Sequence, residues 1–187
     1  MLKRIILYFQ YQFLKFIKPE LIGNPNRLRG CVSGSFNVSN MTHVSFKNEN
    51  LKIGKNVFIG HFNYIDAFNA KLEIGDNVQI TNYCQLLTHS THNTLRFNLT
   101  NINDVNILKN INKIGELIIG ENTYIGPHTV IMPNTKVGKN CIVSAYSFVH
   151  GDFPDFSIIR GIPAKIIGDT RKIDSDLLEK YPELSII

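Results

Sequence analysis

The 187-residue chain has no Trp, only three Cys, and no unbroken apolar run longer than Ile5 to Phe9. A helix crossing a bilayer needs about 20 consecutive apolar residues, so no spanning segment is expected. Cys31, Cys84 and Cys141 are odd in number and form no CxxC, which excludes a readable disulfide framework or zinc knuckle. A reducing, cytoplasmic compartment is the expectation. The formal charge is +5, but Lys and Arg are scattered rather than clustered among aromatics, so no nucleic-acid partner is expected. With 43% hydrophobic and 19% charged residues the chain reads as globular.

What is abundant is Ile and Asn, and their spacing carries the information. From Ile119 an aliphatic residue returns at every sixth position: Ile125, Ile131, Val137, Val143 and Val149. The fifth place of these hexads holds Thr123, Thr129, Thr135, Cys141 and Ser147, all small. Shorter runs obey the same rule at Val32, Val38 and Val44, at Ile53, Ile59 and Ile65, and at Ile74, Ile80 and Leu86. The runs are separated by steps of nine, each an insertion of three. A sixfold period is not one helical face. It suits a short strand and a tight turn, with the aliphatic residue inside, the small one at the corner, and Gly or Asn taking left-handed backbone angles. Three hexads make one triangular coil, and coils stack about 4.8 Å apart through parallel-strand hydrogen bonds. The fold class expected is an all-β solenoid. Cys84 and Cys141 fall at fifth places and read as packed core; Cys31 is read the same way.

The ends differ from the middle. Leu2, Ile5, Ile6, Phe9, Phe13, Phe16 and Ile17 share one face at 100° per residue, with Lys3, Arg4, Lys15 and Lys18 on the other. This predicts an N-terminal amphipathic helix, whose residues 2–17 either lie on an anionic membrane surface or pack on protein. Asp174 to Tyr181 reads as a short helix stopped near Pro182. The expected organisation is 1–30, helix and linker; 31–170, solenoid; 171–187, helical cap. One segment leaves the solenoid on a large scale, a protruding loop at about 90–117 that is rich in Asn.

The hexads IGENTY, IGPHTV, IMPNTK, VGKNCI and VSAYSF, followed by GDFPDFSIIRGIPAKIIG, resemble the C-terminal half of the left-handed β-helix hexapeptide-repeat acetyltransferases. The likeness is to the maltose, galactoside, streptogramin and polysaccharide O-acetyltransferase branch, over roughly residues 50–170. It implies a left-handed parallel β-helix, a homotrimer with shared active sites, and acetyl-CoA as co-substrate. It implies O-acetylation of a sugar or saccharide acceptor, with surface polysaccharide assembly suggested by the basic N-terminal helix. N-acetylation of an amino sugar and a non-catalytic binding solenoid are the alternatives. A carbonic-anhydrase-like metal site on the same solenoid lacks a third imidazole beside His89 and His92, so no metal is expected.

By that resemblance His89, at the root of the loop, is the general base that takes a proton from the acceptor hydroxyl. Coil spacing puts the segment Asp66 to Lys71 one coil below it, so either Asp66 or Asn69 orients the imidazole or simply satisfies its own turn. Asn69 aligns with a family Asp, which argues against a charged His–carboxylate pair. His92, Arg96 and His61 match acceptor-contacting positions. Pro127, Ala145, His150, Arg160 and Lys165 match donor-contacting ones, with Lys165 and Arg160 facing CoA phosphates.

Overall fold

The computed structural model describes residues 28, 30–39, 41–97 and 105–185. The amphipathic N-terminal helix predicted for residues 2–17 lies outside them. In chain order the strands are β1 (Phe36–Val38), β2 (His43–Phe46), β3 (Leu51–Ile53), β4 (Val57–Ile59), β5 (Tyr64–Ala67), β6 (Leu72–Ile74), β7 (Gln79–Ile80) and β8 (Gln85–Leu86). They continue as β9 (Leu117–Ile119), β10 (Tyr124–Ile125), β11 (Val130–Val137), β12 (Ile142–Val143), β13 (Phe148–Phe153), β14 (Ser157–Gly161) and β15 (Ala164–Asp169).

Pairing arranges these strands into three faces of a prism. The first face stacks β1, β4, β7, β10, β12 and β14 in parallel. The second stacks β2, β5 and β8 onto the start of β11, and the third stacks β3, β6 and β9 onto its end. β11 therefore turns a corner within one strand, and β13 repeats it one coil higher. The aliphatic residues at first places from Ile53 to Val149 fill the interior, each at most 3% exposed. Two fifth-place hydroxyls find backbone carbonyls, Thr123 Oγ1 with Gly138 O at 2.9 Å and Thr129 Oγ1 with Gly126 O at 2.7 Å, whereas Thr135 Oγ1 is buried without a partner among the described residues. Every buried strand carbonyl and N–H of one coil is offered to the next, so the stack rather than the single coil is the stable unit.

The turn chemistry differs from the expectation in one respect. The left-handed backbone angle falls at the fourth place, not at the second-place glycines: Asn56, Asn77, Asn122 and Asn140 take it on one corner, and Phe62, Tyr83, His128 and Tyr146 on the next. The second-place glycines serve close stacking instead. A Cβ on Gly120 would stand 2.5 Å from the Gly138 carbonyl carbon, and one on Gly126 2.6 Å from Ala145 N. The Asn corner is joined by amide hydrogen bonds, Asn56 to Asn77 at 3.0 Å and Asn77 to Asn122 at 2.9 Å. The aromatic corner is joined by ring stacking, with centroids 5.1, 4.9 and 4.7 Å apart from Phe62 through Tyr83 and His128 to Tyr146. A bulky residue in the left-handed region costs about 1–2 kcal/mol, and stacking at about 0.5–1.5 kcal/mol per pair offsets much of that.

All insertions fall on the remaining corner, between the second and third faces. The three-residue insertions lie after β2 and after β5, and the long excursion lies between β8 and β9. That excursion is not a plain loop: it carries a 3-10 turn at Thr94–Arg96 and helix α1 (Val105–Ile111), where Ile107, Leu108 and Ile111 have helical spacing that the surrounding Asn residues obscure. β15 folds back antiparallel on β14 through a turn at Gly161, whose φ is 114°. Helix α2 (Thr170–Lys180) follows, four residues earlier than Asp174 suggested, because the Asp169 carboxylate accepts Arg171 N–H at 2.9 Å and caps it. Thr170 Oγ1 donates to Asn140 O at 2.9 Å and moors the helix on the solenoid.

Candidate active site

Asp66 follows Ile65 in β5 and points away from the solenoid interior by strand alternation, yet it is only 1% exposed. The next coil encloses it. Thr88 N–H and Thr88 Oγ1 donate to Asp66 Oδ2 at 3.2 and 2.7 Å, His89 Nδ1 stands 2.7 Å from the same oxygen, and Phe68 N–H donates to Oδ1 at 3.2 Å. Burial pushes the Asp66 carboxyl up, but the hydrogen bonds from Thr88, His89 and Phe68 and the charge of the imidazole outweigh it, leaving the group below the ordinary carboxylate range. An ionised carboxylate only accepts, so His89 Nδ1 carries the hydrogen and the neutral ring keeps the Nε2 lone pair free. His89, with a third of its side chain exposed, turns that lone pair toward solvent-accessible space.

Asn69 lies exposed in the turn after β5 and makes no hydrogen bond to His89 among the described residues. The expectation that Asn in the family's Asp position removes the charged pair is thereby corrected: the carboxylate comes from Asp66, three residues earlier, because the corner insertion brings its side chain up to the coil above. Thr88, which the sequence reading did not single out, supplies two of the four donors; its place directly before the His at the loop root was the available signal.

The loop leaves and returns side by side. Ser90 N–H donates to Asn112 O and Gly115 N–H to Thr88 O, both at 3.0 Å. Above this neck is a cavity of about 410 Å³ lined by His92, Lys113, Met132, Asn134, Phe148 and His150 among others. His92 Nδ1 is 2.7 Å from Ser90 Oγ. Arg96 is exposed and engaged within its own turn, donating to His92 O at 3.2 Å and Asn93 Oδ1 at 2.5 Å.

The remaining candidates stand elsewhere. His61, Pro127 and Ala145 occupy third places on the aromatic corner, with His61 Nδ1 2.5 Å from Ser39 Oγ. Arg160 and Lys165 face one another across the β14–β15 hairpin. His150 joins His92 rather than Pro127 and Ala145, because β13 carries it round to the insertion corner. The three cysteines are buried, and burial pushes their thiols up. Among the described residues no group of three or more His, Cys, Asp or Glu is placed to hold a metal ion, and no helix is long and apolar enough to cross a membrane.

Residues 117–151 match the model of the bacterial transferase hexapeptide, six repeats. That segment carries the hexapeptide repeats of bacterial transferases. This hexapeptide-repeat chain is similar to the galactoside O-acetyltransferase of Escherichia coli strain K12, 31% identical over 132 residues that cover 67% of the chain and 57% of the relative. It spans about half the length of the curated relatives it matches. Its fold, the left-handed parallel β-helix, is that of a hexapeptide-repeat acetyltransferase from Vibrio cholerae, at a TM-score of 0.61 and 25% identity over 77% of this chain and 76% of that one. AntD, an N-acyltransferase from Bacillus cereus solved with dTDP and 3-hydroxybutyryl-CoA, shares the fold at a TM-score of 0.60 and 19% identity, covering 82% of each chain.

Proposed function

We propose that this chain is an acetyl-CoA-dependent O-acetyltransferase that acetylates a sugar hydroxyl, with His89 as general base. The observation that carries the reading is the 2.7 Å contact between His89 Nδ1 and the buried, ionised Asp66. It leaves Nε2 as the acceptor of a proton on a ring that is one-third exposed. A sugar hydroxyl is a poor nucleophile at neutral pH; as its oxygen attacks the thioester carbonyl, its proton passes to Nε2, and Asp66 stabilises the resulting imidazolium. The C–S bond then breaks and the proton goes to the departing CoA sulfur. Histidine is regenerated without a covalent enzyme intermediate.

Pro127, Ala145 and His150 are assigned to the pantetheine arm, and Arg160 and Lys165 to CoA phosphates, where two adjacent cationic side chains suit an anionic group. His61, His92 and Arg96 are assigned to the acceptor. His61 stands with Pro127 and Ala145 on the aromatic corner and His150 with His92 on the insertion corner, so each set draws on both corners, and the complete site is proposed to form between copies of the chain in a trimer. Surface polysaccharide is the acceptor class proposed, with residues 2–17 as the membrane-facing element. The dyad favours O-transfer, since a hydroxyl needs its proton removed and a free amine does not.

The reading is tested by following the free thiol of CoA released from acetyl-CoA with a panel of sugars and nucleotide sugars. His89→Ala is expected to lower kcat by about 10²–10⁴-fold, and Asp66→Asn to lower it substantially by admitting the wrong tautomer. Full transfer by His89→Ala overturns the mechanism.

A further inference from the structure

The cavity above the loop neck differs in chemistry from a neutral sugar site. Among the described residues no carboxylate lines it; its ionisable side chains are Lys113, His92 and His150, beside Asn134 and an apolar wall of Met132 and Phe148. Lys113 is held there with unusual definition. The hydrogen bonds Ser90 N–H to Asn112 O and Gly115 N–H to Thr88 O clamp the residues on either side of it, directly across the neck from His89, which lies between Thr88 and Ser90. Its φ is 47°, a left-handed conformation that a Lys adopts only when its surroundings impose it. His92 is oriented by Ser90 Oγ through Nδ1, leaving Nε2 for the cavity.

Resting on the reading of His89 as base, we propose that this cavity seats the acceptor and selects one that carries a carboxylate or phosphate, bound by the Lys113 ammonium. Lys113, His92 and His150 are exposed at the rim of a cavity whose lining holds no carboxylate, so an anionic group on the acceptor meets cationic and neutral donors and no like charge. The backbone pairing of Ser90 with Asn112 and of Gly115 with Thr88 sets the two strands of the neck side by side, so an acceptor held by Lys113 is oriented on the same neck that carries His89. The apolar wall accommodates the C–H face of a sugar ring.

The test is calorimetric titration of the full chain, in the presence of CoA, with galactose, galacturonate and galactose 1-phosphate. At least one anionic sugar is expected to bind about tenfold or more tightly than galactose, the scale of one charge-assisted contact. Lys113→Met is expected to abolish that preference and Lys113→Arg to keep it. The two anionic probes separate carboxylate from phosphate recognition. The proposal is overturned if neither anionic sugar binds better than galactose, if Lys113→Met retains the preference, or if Lys113→Met weakens CoA binding while leaving the sugars unchanged, which assigns the cavity to the donor. Because binding is read without turnover, these outcomes are independent of whether His89→Ala abolishes transfer.

Discussion

His89 stands one coil above Asp66, and the two side chains meet at 2.7 Å across the only corner of the prism where the repeat is interrupted. Asp66 lies in β5 and His89 follows β8 by three residues, and the two strands are paired in a register that sets Ile65 beside Leu86. Parallel stacking therefore holds the Cα positions of the dyad, and the corner insertions leave the room in which the side chains turn toward one another. A regular hexad corner has no such room, because its small residues are packed beneath the next coil.

Thr88 tunes that contact. Its hydroxyl shares Asp66 Oδ2 with the imidazole and helps to keep the carboxyl below the ordinary range. Thr88→Val keeps the shape and removes one of the donors that hold the Asp66 carboxyl down and in place, so the carboxyl rises toward its ordinary value and orients the ring less firmly. A lower kcat with KM little changed is expected, and Thr88→Ser is expected to restore it. An unchanged kcat in Thr88→Val shows that the hydroxyl only packs.

Stability should carry the signature of Asp66 on the acid side. Its folded-state carboxyl lies below the ordinary value of about 3.9, so its ionisation stabilises the fold fully above about pH 4 and that stabilisation is lost as pH falls through the folded-state value. Urea midpoints measured from pH 7 to pH 3 should fall more steeply for the wild type than for Asp66→Asn. Parallel slopes would show that the exposed carboxylates dominate acid unfolding.

Close stacking predicts a sharp effect at a glycine that is not in a left-handed turn. The Cβ of Gly120→Ala would meet Gly138 C at 2.5 Å, Gly138 O at 2.6 Å and Lys139 N at 2.6 Å, all backbone of the next coil. Backbone cannot rotate aside as a side chain can, so the coils must separate locally. A cost of about 1–3 kcal/mol is expected, read as a lower thermal midpoint with the parallel-sheet circular dichroism retained below it. An unchanged midpoint would show that the stack yields there without strain.

Much of the architecture was legible because it is a property of the covalent chain. A period of six, with aliphatic first places and small fifth places, admits only one way of burying Ile119 through Val149 together, and these residues are at most 1% exposed. Loop length placed both His89 and His92 at the root of the one segment too long for a corner, and it was the family resemblance that singled out His89 as the proposed base. Asp66 and Asn69 were not separable, since one coil of spacing places both beneath His89 and only side-chain direction distinguishes them. Thr88 and Lys113 were invisible for another reason: Thr88 acts through a carboxylate 22 positions earlier, and Lys113 is brought to the neck by the backbone pairing of the loop's return path with Thr88 and Ser90.

The sequence by itself determined the repeat, the buried residues and the corner at which the solenoid opens, because each follows from local spacing and the need to hide aliphatic side chains from water. Only the tertiary structure decided which side chain holds His89, that the left-handed turns belong to Asn on one corner and to stacked aromatics on the next, and that His150 stands with His92 rather than with Pro127 and Ala145. Those outcomes depend on contacts between residues one coil or more apart, where a shift of one side chain across 3 or 4 Å, on the order of a single van der Waals contact, changes the partner without altering the pattern in the chain.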